Sequence, residues 1–82
     1  MRLIKFEKSN CPKCVMLQNL LDDHGVKTEK IDVENYSDIE FIAKYVDMSL
    51  PVLVLLNDNE ELVMKSAGFN PDELNEIVSK LA

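Results

Sequence analysis

Two cysteines stand three positions apart in Cys11-Pro12-Lys13-Cys14, where an apolar, strand-like run gives way to a helix-like one, and the chain has no other cysteine. Small secreted domains that depend on disulfides carry more of them, at wider spacing. A bond across so short a loop also removes little freedom from the unfolded chain. The pair therefore reads as chemistry rather than as a staple. Zinc takes four ligands, and the remaining donors are scattered carboxylates and a single histidine, His24. His24 falls about three helical turns from Cys11, out of its reach, so no metal ion is expected within one chain. A metal or iron–sulfur site shared between two chains is the remoter alternative.

The pattern around the pair is an alternation of strands and helices. Arg2 to Glu7 reads as a strand with Leu3, Ile4 and Phe6 as its apolar members. A helix runs from Cys11 or Pro12 to His24, with proline in its first turn, Cys14, Leu17, Leu20 and Leu21 on one stripe, and Gly25 as its stop. Lys27 to Val33 is a second strand. Ser37 and Glu40 have the spacing of a capping box opening a second helix, whose core stripe would be Ile39, Ile42, Ala43 and Val46. The unbroken apolar run Val52 to Leu56 suits a strand buried on both faces. Asn57 to Glu60 is a turn, and Glu61 to Ser66 returns as a hairpin partner. The last helix is the best marked. Asn70 is its N-cap, Pro71 its first residue, Phe69 and Leu74 a hydrophobic staple, and Leu74, Ile77, Val78 and Leu81 its buried face.

The order predicts an α/β fold, β-α-β-α-β-β-α, with a four-stranded mixed sheet between helices on both faces. At 82 residues the chain has room for a single domain, 1–82. The first residues are broken by charge, unlike a signal peptide, and the longest apolar run is far short of the roughly 20 residues a membrane helix needs. A formal net charge of −6 disfavours nucleic acid and anionic membranes as partners. The expectation is a cytoplasmic monomer.

The chemistry of such a pair requires a thiolate. A free cysteine titrates near about 8.5, so little of it is ionised at neutral pH. A helix N-terminus corrects this, because first-turn N–H groups lack intrahelical partners and the helix dipole is positive there. Pro12 has no N–H, which leaves those of Lys13 and Cys14 to face the Cys11 sulfur. Lys13 and Lys8 add positive charge. Cys14, one turn on and on the apolar stripe, should be the more buried sulfur. Cys11 is thus the attacking nucleophile and Cys14 the resolving one.

With these residues in place, the chain resembles the thioredoxin/glutaredoxin superfamily along almost its whole length. The resemblance rests on the strand Leu3 to Phe6 leading into Cys11-Pro12-Lys13-Cys14, on Ser49-Leu50-Pro51-Val52, and on Ala67-Gly68-Phe69-Asn70-Pro71. It implies a thioredoxin fold and a thiol–disulfide oxidoreductase without a bound cofactor. It further implies a cis Leu50–Pro51 bond beside the sulfurs, with Pro12, Lys13 and Pro51 supporting the site and Ser49, Leu50 and Gly68 meeting substrate. The Cys-Pro-x-Cys motif and the short length are similar to glutaredoxins. The tail is more similar to thioredoxins and to the redoxins that serve ribonucleotide reductase. Asn10 replaces the tryptophan usual in thioredoxins, and Lys13 the aromatic residue of many glutaredoxins. The Gly-Gly-x-x-Asp pattern that helps glutaredoxins hold glutathione is absent. The implied partners are proteins bearing disulfides and a flavoprotein disulfide reductase, with glutathione as the alternative reductant. Copper carriers share C-x-x-C but typically place a methionine where this chain has Ser9, which makes a metal carrier the weakest reading. Tyr36, Phe41, Tyr45 and Phe69 are expected to pack, and Met16, Met48 and Met64 to fill the core or its edge, Met48 near the substrate groove.

Overall fold

Alternation along the first strand divides the molecule into two cores. In the computed structural model, which describes residues 1–81, the order is β1 (Arg2–Glu7), α1 (Pro12–Asp23), β2 (Glu29–Asp32), α2 (Ile39–Tyr45), β3 (Val52–Leu56), β4 (Leu62–Ala67) and α3 (Pro71–Leu81). Leu3 of β1 joins Leu53 and Leu55 of β3 beneath Leu17 and Leu21 of α1 and Leu74 and Ile77 of α3. Ile4 and Phe6 point the other way and join Ile31, Val52, Val54, Leu56 and Tyr45 of α2. Each such apolar side chain contributes about 1.5–3 kcal/mol on burial.

The sheet order is β2-β1-β3-β4. β1 pairs parallel with β2, Phe6 opposite Ile31. It pairs antiparallel with β3, Phe6 opposite Val52, and β3 pairs antiparallel with β4. β3 is central and every one of its residues is buried, as its unbroken apolar run requires. The four-stranded mixed sheet between three helices is the expected architecture.

Local signals set the helix ends. At the close of α1, Gly25 takes φ +68 and donates to the Asp22 carbonyl (3.0 Å), while Val26 donates to that of Leu21 (3.1 Å). This is a Schellman motif, and glycine suits its left-handed residue. At α3, the Glu73 N–H donates to Asn70 Oδ1 (3.1 Å), confirming Asn70 as the cap. The Glu73 carboxylate does not fold back to complete a box; it accepts from Ser66 Oγ (2.8 Å) and ties α3 to β4.

The second helix departs from expectation. Its cap is Asp38, whose Oδ1 accepts from the Phe41 N–H (3.0 Å), so the Ser37–Glu40 box does not form. A carboxylate is the stronger acceptor and sits one residue closer to the helix, which therefore opens at Ile39. Ile39 is left 74% exposed and Ala43 is exposed too. Tyr45 is the buried residue, with Phe41, Ile42 and Val46 packed beside it. Aromatic contacts explain the choice: Phe6 lies 5.9 Å from Phe41 and 6.0 Å from Tyr45, centroid to centroid. Of the methionines expected to fill the core, Met64 packs against it, whereas Met16 and Met48 are exposed. Tyr36 is exposed as well, though its ring lies 6.5 Å from that of Phe41. None of the described helices is long and apolar enough to cross a membrane.

Candidate active site

β1 ends at Glu7, and three further residues bring the chain to Cys11, the residue before α1. Asn10, the last of them, adopts φ +55. Asparagine tolerates this left-handed conformation better than most residues. Ser9 is held from across the molecule: Glu34 Oε1, in the loop after β2, accepts from the Ser9 N–H (3.1 Å) and from Ser9 Oγ (2.7 Å). That loop is itself braced by Asp32, which accepts from the Glu34 N–H (3.0 Å) and from Asn35 Nδ2 (2.8 Å). Neither the turn at Asn10 nor the Glu34 latch follows from local spacing.

The turn delivers Cys11 as the N-cap of α1, with extended backbone at φ −120 and ψ 96. Cys11 and Cys14 form a disulfide, with their Cα atoms 5.2 Å apart, a usual separation for bonded cysteines. The Cys14 N–H points at Cys11 Sγ (3.2 Å) and the Val15 N–H donates to the Cys11 carbonyl (3.2 Å). Of the two N–H groups expected near the sulfur, that of Cys14 is the one that reaches it. Cys11 is 9% exposed and Cys14 3%. The second sulfur is thus the deeper one, although in the disulfide the first is also nearly covered. Pro12 and Lys13 are both exposed on the first turn.

Pro51 directly precedes β3, and its bond to Leu50 is cis. The antiparallel register sets Val52 opposite Phe6, so Pro51 lies at the end of the sheet where β1 runs out toward Cys11. Gly68 lies at the same end: its N–H donates to the Pro51 carbonyl (2.7 Å) at φ +77. An open groove of about 510 Å³ lies between these segments, lined by Lys8, Lys13, Met48, Ser49, Leu50, Ala67, Gly68, Phe69 and Asn70. Met48 is 98% exposed and borders this groove rather than the core. Phe69 packs against the α1/α3 core and also lines the groove.

The structure therefore gathers Cys11, Cys14, Lys13, Ser49, Leu50, Pro51 and Gly68 at one end of the sheet. The groove carries two lysines and no carboxylate, on a chain with a formal net charge of −6. His24 is the C-cap of α1, remote from the sulfurs. Among the described residues, no group of three histidine, cysteine, aspartate or glutamate side chains is placed to hold a metal ion. Chemically, the arrangement is a dithiol/disulfide couple at a helix N-terminus beside an open groove that carries two lysines.

The glutaredoxin family model matches residues 3–60. The chain is 41% identical over 81 residues to the SPbeta prophage-derived thioredoxin-like protein YosR of Bacillus subtilis (strain 168), covering 99% of each. Its backbone superposes on reduced thioredoxin of Schistosoma mansoni with a TM-score of 0.78 at 19% identity, covering 98% of this chain and 77% of that one. The glutaredoxin-like NrdH-redoxin of Escherichia coli, described as having a thioredoxin-like activity profile, gives a TM-score of 0.72 at 22% identity, covering 100% and 96%. At these identities the two structures speak for the fold.

Proposed function

The chain belongs to the thioredoxin/glutaredoxin superfamily, and on that premise we propose that it is a dithiol carrier that reduces disulfides in other proteins. The observation that carries the proposal is the Cys11–Cys14 pair at the N-terminus of α1, with the Cys14 N–H aimed at Cys11 Sγ. In the reduced protein, that N–H and the helix dipole favour the Cys11 thiolate, and Lys13 adds charge of the same sense. The thiolate attacks a substrate disulfide; one substrate sulfur leaves as thiolate, and Cys11 is joined to the other. Cys14 then gives up its proton and attacks Cys11, the mixed disulfide breaks, and the second substrate sulfur leaves. Two electrons have passed to the substrate, and the protein holds the disulfide seen here.

The groove supplies the seat for the substrate. An extended segment would run past Ser49, Leu50 and Gly68, using the Leu50 backbone as a strand does, with Pro51 fixing the approach. Recharging falls to a flavoprotein disulfide reductase of the thioredoxin-reductase type, in a reducing, cytoplasm-like compartment. The match to the glutaredoxin family model favours testing glutathione as the second candidate.

The experiment is turnover of a protein disulfide such as that of insulin, driven in parallel by thioredoxin reductase and by glutathione with glutathione reductase. Turnover with the first alone supports the proposal, and turnover with the second alone replaces the proposed reductant. Cys14→Ser should accumulate a mixed disulfide and Cys11→Ser should do nothing. If both variants retain turnover, the mechanism is wrong.

A further inference from the structure

The chain carries 15 acidic and 9 basic side chains, yet the groove beside the sulfurs is lined by Lys8 and Lys13 and by no carboxylate. Lys8 stands three residues before Cys11 and Lys13 two after it, and both are exposed. Arg2 is held by Glu29 and Glu60, Lys5 by Glu7, and Lys65 Nζ lies 3.9 Å from Asp47. Lys8 and Lys13 make no ion pair among the described residues. The rest of the lining is uncharged, supplied by Met48 to Leu50 ahead of β3 and by Ala67 to Asn70 at the junction of β4 and α3.

The carboxylates closest in sequence to this lining have tasks of their own. Glu34 accepts from the Ser9 N–H and from Ser9 Oγ. Glu73 accepts from Ser66 Oγ (2.8 Å), and Asp47 is the residue near Lys65. Asp72 stands in the first turn of α3, where the helix dipole favours a carboxylate. Ionisation of Cys11 does not by itself call for two lysines, because the Cys14 N–H and the start of α1 already act on that sulfur. Both ammonium groups lie along the path of an incoming chain. Salt screens charges beyond about 8 Å at physiological ionic strength. Inside the groove, therefore, the two lysines outweigh the acidic surface elsewhere.

On the dithiol reading given above, we propose that the groove selects an acidic segment: an extended protein chain with Asp or Glu within about three residues of its disulfide-bonded cysteine. Three residues of extended chain span about 10 Å. A substrate sulfur joined to Cys11 thus leaves carboxylates on either side of it within reach of Lys8 and Lys13. Met48, Leu50 and Phe69 offer apolar contact to the alternate side chains of the segment. A neutral segment leaves both ammonium groups unanswered, and a basic one is repelled. Exposed charges of this kind choose partners more than they tighten binding.

The test uses three peptides, each closed by one internal disulfide and identical except for the residues flanking the cysteines, which are Glu, Gln or Lys. Reduced protein passes two electrons to the peptide, giving two peptide thiols and the Cys11–Cys14 disulfide, and the reduced peptide is measured after an acid quench. Each rate is divided by the rate with dithiothreitol, which removes the effect of flanking charge on the peptide's own sulfurs. The Glu peptide should exceed the Gln peptide about fourfold, at about twofold for each exposed ion pair, and the Lys peptide should fall below both. Lys8→Gln and Lys13→Gln should each halve that preference, and the double variant should abolish it. Any change in Cys11 ionisation acts on all three peptides and cancels from the ratio. Salt at about 1 M, where screening acts beyond about 3 Å, should also abolish the preference. Lys80→Gln changes the net charge equally in the last turn of α3 and should leave the ratio as it was. A wild-type ratio near one, a ratio that survives in the double variant, or one that Lys80→Gln lowers as much, overturns the proposal. So does a Lys8→Gln protein that loses turnover of glutathione disulfide with the peptide ratio intact, which would give the lysine to that tripeptide instead. Failure of the dithiol reading would show differently, as no reduction of any of the three peptides, and would take the proposal with it.

Discussion

Two glycines in this chain allow backbone strain to be separated from function. Gly25 and Gly68 take φ +68 and +77, and a Cβ built on either meets nothing within 4 Å. Alanine at either position therefore costs only the left-handed backbone, about 1–2 kcal/mol, with no steric term. Their surroundings differ. Gly25 closes α1, at the end away from the sulfurs; a helix of 12 residues puts it about 18 Å from the first turn. Gly68 lines the groove and donates to the Pro51 carbonyl. Gly25→Ala and Gly68→Ala should lower the urea midpoint by similar amounts. Only Gly68→Ala should slow insulin reduction, because relief of its φ moves the N–H off Pro51 and deforms the substrate seat. Asparagine at each position should recover part of the stability. Equal effects of both alanine variants on turnover would refute the assignment of Gly68 to the groove. A loss under about 0.5 kcal/mol at both would refute the strain argument.

Phe6→Ala removes a fully buried ring that touches both aromatics of α2; it should cost about 3–5 kcal/mol by urea unfolding, and a loss below about 1.5 kcal/mol would show that the α2 core is not as described. Glu34→Ala removes the one oxygen that accepts from both the Ser9 N–H and Ser9 Oγ and should cost about 1 kcal/mol, with faster hydrogen exchange at the Ser9 N–H; unchanged exchange there would argue against the latch. Arg2 holds the Glu29 carboxylate below its usual range through their hydrogen bonds. A carboxylate lowered on folding stabilises the fold above its unfolded value, and that contribution fades as pH falls through the folded value. Acidification below about pH 4.5 should therefore erode stability more in the wild type than in Glu29→Gln. The difference should stay at or below about 1 kcal/mol, since both side chains are about half exposed; a larger loss in Glu29→Gln would contradict the sign.

The residues that declared themselves in the sequence are those whose role is local. Asn70-Pro71 opens α3, Gly25 closes α1, and Cys11 caps the helix that its position before Pro12 announces. The apolar run of β3 likewise reads directly as a central strand. At the start of α2, spacing favours Ser37 as the cap, but the Asp38 carboxylate takes that place, and the aromatic contacts of Phe41 and Tyr45 with Phe6 choose the face that is buried. The cis bond before Pro51 was legible only through resemblance, since a proline before an apolar strand fits a trans bond equally well. Lys5 was illegible for a different reason. A lysine alternating with apolar residues reads as solvent-facing, and only α1 packing over that face, with Gln18 and Glu7 brought in as partners, makes it interior. The Glu34–Ser9 latch spans two loops far apart in sequence and leaves no periodic trace.

Thiol–disulfide exchange at this site turns on whether the amino end of α1 holds a sulfur anion in the reduced protein. Titration of Cys11 in the Cys14→Ser variant, read by thiolate absorbance, tests this without interference from the second sulfur. Half-ionisation is expected well below the free-thiol value of about 8.5, within about 3.5–7.5. Half-ionisation at or above the free-thiol value would contradict it, whatever the fold.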